Sequence, residues 1–162
     1  GAYAELYDRY LNPVYRYFFL RLGSQPEAED LTSQVFLAAL ESLPGYRRGS
    51  SFRAWLFGIA RRKLADHYRL RRPQVSLQQV GDLPAAHEPV LARLARSEQL
   101  GELAKLVAAL QDSERELLGL RFAAGLSFPE MASLLKRKES AVKMSLYRLL
   151  ERLERQLEAK DV

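Results

Sequence analysis

Apolar residues recur along this chain at three- and four-residue spacing and do not alternate, a pattern that predicts helices and no strands. Asn12 and Pro13 predict the cap and start of a helix through Phe18 and Leu20 that ends at Gly23. Ser24 to Glu27 is a capping-box pattern that opens a second helix, with Leu31, Val35, Leu37 and Leu40 turned inward and a stop at Pro44 and Gly45. A third helix is predicted from Ser50 or Ser51 to Arg71, ending before Pro73. Residues 73–89 contain Pro73, Gly81, Pro84 and Pro89 and few large apolar side chains, and they read as a linker. Helical spacing resumes from Val90 to Leu110. Ser113 to Glu116 is a second capping box, for a helix ending at Gly125, and Ser127 to Glu130 is a third, opening a short helix from Phe128 to Leu135. Lys136, Arg137 and Lys138 form a turn, and a long helix runs from Glu139 to about Leu157. The predicted fold class is all-α: two small helical domains joined by a flexible linker.

Drawn as a wheel, the third helix has two chemically different sides. With Arg61 at zero, Phe52, Trp55, Leu56, Ile59 and Leu70 fall within roughly 120–220°, and Arg61, Arg62, Arg69 and Arg72 within roughly 0–100°. Phe57 and Tyr68 land at about −40° and −20°, beside the arginine arc, as candidate exposed aromatics. Arginines interleaved with aromatics suit single-stranded nucleic acid, because the cations neutralise phosphates and the rings stack on bases. The same spacing also fits rings packed against a neighbouring helix beneath a solvated arginine face.

Charge sharpens this contrast. The 162 residues carry 25 Lys and Arg against 20 Asp and Glu, a net charge of +5 that points to a polyanionic partner. Residues 1–46 hold 3 basic and 6 acidic residues, whereas residues 47–72 hold 9 basic residues and a single acid, Asp66. Residues 73–110 are close to neutral, and 111–162 hold 10 basic and 9 acidic residues. An acidic surface therefore precedes a concentrated cationic one.

The absence of cysteine excludes disulfides, cysteine-ligated metal and a thiol nucleophile, leaving only His67 and His87 as soft metal ligands. No paired acids, serine triad or glycine-rich phosphate loop is present, so the expectation is no enzyme, no catalytic residues, no metal and no cofactor. The longest apolar run, Val35 to Leu40, is far short of the roughly 20 residues a membrane helix needs, and the chain reads as soluble and cytoplasmic, without membrane insertion.

A short capped helix, a three-residue turn and a longer helix have the spacing of a helix-turn-helix. With Ser140 at zero, Val142, Leu146, Leu149 and Leu153 cluster near roughly 180–240° and face a core. Ser140, Lys143, Met144, Tyr147 and Arg148 point away as candidate readers of a major groove, and Lys136, Arg137 and Lys138 suit phosphate contact. A plain helical hairpin with a charged exterior has the same spacing.

Two blocks then bring a family into view. Ala28-Glu29-Asp30-Leu31-Thr32, Val35-Phe36-Leu37-Ala38-Ala39-Leu40 and Phe52-Arg53-Ala54-Trp55-Leu56-Phe57-Gly58-Ile59-Ala60-Arg61 resemble region 2 of the extracytoplasmic-function (ECF) sigma factors of bacterial RNA polymerase. Arg115-Glu116-Leu117-Leu118, Arg121-Phe122, Gly125-Leu126-Ser127-Phe128, Val142-Lys143 and Leu146-Tyr147-Arg148 resemble their region 4. The resemblance implies region 2 over residues 1–72, a linker over 73–92 and region 4 over 93–162, in a factor that binds core polymerase and directs promoter recognition, melting and initiation.

It also implies roles for particular residues. Asp30, Ser33 and Gln34 would lie on the surface that binds the β′ clamp helices. Arg47, Arg48, Arg53, Trp55, Phe57, Arg61, Arg62, Tyr68, Arg69 and Arg72 would hold the −10 element and its non-template single strand. Lys136, Arg137, Lys138, Ser140, Lys143, Met144, Tyr147 and Arg148 would read the −35 element in duplex DNA. The implied partners are core RNA polymerase (β′ clamp helices and β flap), promoter DNA and an anti-sigma factor. The chain departs from the family at Ser33-Gln34, where Gln-Glu is usual, at Met144-Ser145, where Ser-Arg is usual, and in a turn built on Lys136 and Lys138 instead of a glycine and a capping serine. Those departures motivate an alternative, a sigma-like mimic that binds an anti-sigma factor without binding a promoter.

Overall fold

The computed structural model describes the backbone of residues 1–47, 51–78 and 98–160, and the side chains of these except 71–78, 98–101, 104 and 160. The described elements are all helical: α1 (Ala2–Leu22), α2 (Gln25–Ser42), a 3-10 turn (Leu43–Gly45), α3 (Phe52–Gln78), α4 (Glu98–Ala108), α5 (Asp112–Leu118), a π turn (Gly119–Ala123), α6 (Phe128–Leu135) and α7 (Glu139–Lys160).

Helix α1 does not start at Asn12 but runs unbroken through Pro13. Tyr10, Val14, Tyr17 and Phe18 form one buried stripe across the proline, and burying them at about 1.5–3 kcal/mol each outweighs the backbone hydrogen bond that Pro13 cannot donate. The helix ends as predicted, with Gly23 in the left-handed conformation at φ 67° and its N–H bonded to the Phe19 carbonyl. Ser24 then caps α2 by accepting the Glu27 N–H at 3.3 Å.

The inward stripe of α2 is Ala28, Leu31, Thr32, Val35, Phe36 and Ala39. Leu37 and Leu40, expected in the core, are instead 58% and 50% exposed, because a helix can turn only one arc of its circumference onto α1 and α3. Helix α3 begins beside Ser51, whose hydroxyl accepts the Ala54 N–H at 3.0 Å, and it passes both Arg71 and Pro73 to end at Gln78. Leu56, Phe57, Ile59, Ala60 and Leu64 face the core, while Leu70, assigned to the apolar side, is 78% exposed.

In the C-terminal half, the box at Ser113 and Glu116 does not form. Helix α5 starts two residues earlier, capped at Gln111 with Glu114 accepting the Gln111 N–H at 3.1 Å, because Glu116 is drawn into contacts with α1 and α3. The box at Ser127 and Glu130 does form: Ser127 Oγ accepts the Glu130 N–H at 3.2 Å, and Glu130 accepts the Ser127 N–H at 2.7 Å. Val142, Leu146, Leu149 and Leu153 are buried along α7 as the wheel predicts.

The two halves share one core. Tyr17, Phe18, Leu56 and Phe57 from the first join Leu117, Leu120, Leu126, Met131, Val142 and Leu146 from the second, with a small satellite cluster of Leu110, Leu149 and Leu153. A Cβ on Gly119 would sit 3.4 Å from the Tyr17 ring, so the small residue lets the π turn lie close against α1. The predicted linker falls largely on residues 79–97, outside the described residues.

The turn between α6 and α7 carries backbone strain. Lys136 caps α6 in the left-handed conformation at φ 55°, which costs a side chain with a Cβ about 1–2 kcal/mol. Lys136→Gly is expected to raise stability by about 1 kcal/mol, read as a higher urea midpoint at unchanged slope. An unchanged or lower midpoint would contradict this assignment of strain.

Candidate nucleic-acid interface

Three separate surfaces carry the candidate residues. On α2, Asp30 and Ser33 are exposed and Gln34 half-buried, and Gln34 donates to Asp30 Oδ2 at 2.8 Å. Positions 30, 33, 34, 37 and 40 repeat at helical spacing, so the exposed Leu37 and Leu40 continue the Asp30 face as an apolar extension. Sequence reasoning missed these two leucines as surface residues, because an apolar residue at helical spacing reads as core.

The second surface surrounds the start of α3. Tyr46 packs against Trp55, with ring centroids 5.2 Å apart, and against Phe52 at 5.5 Å, leaving a half-exposed aromatic platform beside Arg47. Tyr46 was not singled out from the sequence, although the loop from Pro44 to Ser51 that holds it resembles the base-capturing element of the family. Arg48 lies outside the described residues, as does the side chain of Arg72. Phe57 is a correction to the wheel: it is 0% exposed, with its ring edge-on to Tyr17 at 5.6 Å. The arc beside the arginines is covered by α1 and the C-terminal half, and the wheel could not know that a second unit packs there. Tyr68 does reach solvent, at 37% exposure. Arg62 is exposed, and Arg69 is exposed while paired with Asp66.

Arg53 and Arg61 reach across to the C-terminal half instead. Arg53 donates to the Gly125 carbonyl at 2.8 Å and lies over the Tyr10 ring, its guanidinium carbon 5.4 Å from the centroid. Arg61 donates to Glu116 Oε1 at 3.0 Å and to the Leu134 carbonyl at 3.1 Å. Glu116 also pairs with Arg21 and accepts the Tyr17 hydroxyl at 2.8 Å. Burial, reinforced by the Glu116 charge, holds the Tyr17 phenol well above its ordinary range. Burial disfavours the Arg21 cation, but Glu116, with Tyr17 and Tyr68, outweighs it and the pKa is raised. Ser51 donates to Glu130 across the same seam, and although burial raises the Glu130 carboxyl, hydrogen bonds from Ser127 and Ser51 outweigh it and hold the group below the usual carboxylate range.

The third surface is the outer face of α7. Ser140, Lys143, Met144, Tyr147 and Arg148 are all exposed, with Lys136, Arg137 and Lys138 at its N-terminal end. Phe128 supports it: Lys143 Nζ lies 5.4 Å from the Phe128 centroid, the Tyr147 ring 6.0 Å away, and Arg121 stacks on it at 4.2 Å. Arg137 donates to Ser145 Oγ at 2.7 Å, so the small residue at 145 anchors a cation from the turn. Among the described residues there is no cluster of three or more His, Asp or Glu able to hold a metal ion, and no helix is long and apolar enough to cross a membrane.

Comparison with known proteins decides the family. Residues 6–73 match the Sigma-70 region 2 family. The ECF RNA polymerase sigma factor SigD of Mycobacterium tuberculosis is 33% identical over 98% of this chain and 78% of that protein. The chain belongs to the ECF sigma factor family. As such the sigma factor is a transcription initiation factor and not an enzyme. It is also 36% identical to the ECF RNA polymerase sigma factor BldN of Streptomyces coelicolor, over 96% of this chain, and spans 60% of the length of that relative. Its fold is that of the sigma factor RpoE from Bartonella quintana, solved in complex with the anti-sigma factor NepR, with a TM-score of 0.73 and 20% identity over 97% of both chains.

Proposed function

We propose that this sigma factor binds core RNA polymerase through the α2 face of Asp30, Ser33, Gln34, Leu37 and Leu40. Region 4 then reads duplex −35 DNA with the outer face of α7 and meets the β flap. The aromatic platform and arginines of α3 capture the −10 non-template strand, with bases stacking on Tyr46 and Trp55 and phosphates meeting Arg47, Arg62 and Arg69. Phe57 takes no part in this contact and serves as the core beneath it. The observation that carries the reading is the separation of the three faces: an acidic and apolar one on α2, an aromatic and basic one on α3 and a basic one on α7, each presented to solvent by a different helix. The likeness to a sigma factor held by NepR supports an anti-sigma partner that covers some of these faces.

Run-off transcription with purified core polymerase on genomic fragments tests the reading, and factor-dependent transcripts are the expected result. Core binding or anti-sigma binding without any transcript favours the mimic. That second reading has one observation behind it: Gln34, standing where the family usually has a carboxylate, occupies part of Asp30 with its own hydrogen bond.

A further inference from the structure

We infer that Glu116 is an internal stand-in for DNA phosphate, holding the free sigma factor closed by occupying an arginine that would otherwise grip the melted strand. The inference rests on the strand-holding reading of α3.

The seam between the two halves is joined mostly by donors from α1 and α3 meeting acceptors of the C-terminal half. Arg61 meets Glu116 and the Leu134 carbonyl, Arg53 meets the Gly125 carbonyl, Ser51 meets Glu130, and Tyr17 and Arg21 meet Glu116. A guanidinium fork that takes a carboxylate and a carbonyl has the geometry it would offer to a phosphate. Arg61 and Arg53 have one set of donors each, so closure and strand binding compete for the same groups. Arg62 and Arg69 remain on the exposed side, where a strand can make first contact while the seam is shut.

Burial places the latch at Glu116. Its side chain is 13% exposed and that of Arg21 only 7%, so the carboxylate sits where screening by salt is weak. Arg21 lies on α1 and shares the Glu116 carboxylate with Arg61, and it gains this anionic partner only when the halves close. A strand that binds only the open form has its apparent affinity reduced by the open fraction, and whatever loosens the seam restores it.

The chain lacks cysteine, so Glu41→Cys and Glu154→Cys, both at exposed positions, give unique labels for distance measurement by energy transfer. Titration with a short single-stranded DNA of mixed sequence is expected to increase the separation in step with binding. Glu116→Gln is expected to separate the labels without DNA and to bind the strand about tenfold tighter. Gly58→Leu opens the seam by a different route: a Cβ at Gly58 already lies 3.4 Å from Leu134 Cδ1 and meets nothing else within 4 Å, so a larger side chain wedges the halves apart without changing charge. It should show the same two effects. Strand binding with no change in separation overturns the latch, as does a Gly58→Leu protein that opens yet binds no tighter. If Arg62→Ala with Arg69→Ala binds the strand as tightly as the unaltered protein, the strand-holding reading itself fails, whatever the label separation does.

Discussion

Replacing Arg61, Arg62 and Arg69 together with alanine is expected to abolish open-complex formation while leaving binding to core polymerase unchanged. Hydrogen bonds between a charged donor and its partner contribute about 1.5–3 kcal/mol each, so three lost phosphate contacts weaken strand capture by at least about a thousandfold. None of the three lies on the α2 face, and Arg62 and Arg69 are exposed, so their removal leaves the core of region 2 intact. The triple change separates two causes of failure. Losing Arg61 also loosens the grip of Glu116, so the variant is more open than the parent and a shut seam cannot account for its loss of melting. The measurement is permanganate reactivity of promoter thymines beside a core-binding assay. Undiminished reactivity would remove α3 from the melting step.

Phe57→Ala is expected to cost about 3–5 kcal/mol, a large share of the 5–15 kcal/mol that holds a typical domain folded. The ring is wholly buried, edge-on to Tyr17, and belongs to the core shared by both halves, so its removal leaves a cavity that neither α1 nor α3 can close without moving the other. Tyr68→Ala, at the other candidate aromatic, should shift stability by no more than about 0.5 kcal/mol because that ring already faces solvent. Urea denaturation of the two variants side by side checks the assignment. A loss below about 1 kcal/mol for Phe57→Ala would return that residue to the surface.

These two rings show where reading the chain alone works and where it stops. The wheel placed both beside the arginines, correctly as an angle, but an angle about one helix does not say whether that arc meets water or another unit. Leu37 and Leu40 fail in the opposite direction, since apolar character predicted burial and they instead extend the face of Asp30. Glu116 was assigned a local duty as a cap, which local patterning favours, and lost it to three partners distant in sequence. The exposed residues of the outer α7 face were legible because their helix has a strong apolar stripe, and that stripe alone determines which residues are left outside.

The sequence by itself determined the all-helical class, the caps at Gly23, Ser24 and Ser127, the outer face of α7 and the family, because caps, helical period and motif order act over a few residues and need no knowledge of neighbours. Only the tertiary structure decided that Pro13 lies within a helix, that Phe57 is core, that Leu37 and Leu40 are surface, and that Arg53 and Arg61 face the other half of the molecule. The partners of Arg53 and Arg61 lie from 55 to 73 places away along the chain, and no local pattern encodes which arc of a helix so distant a surface will cover.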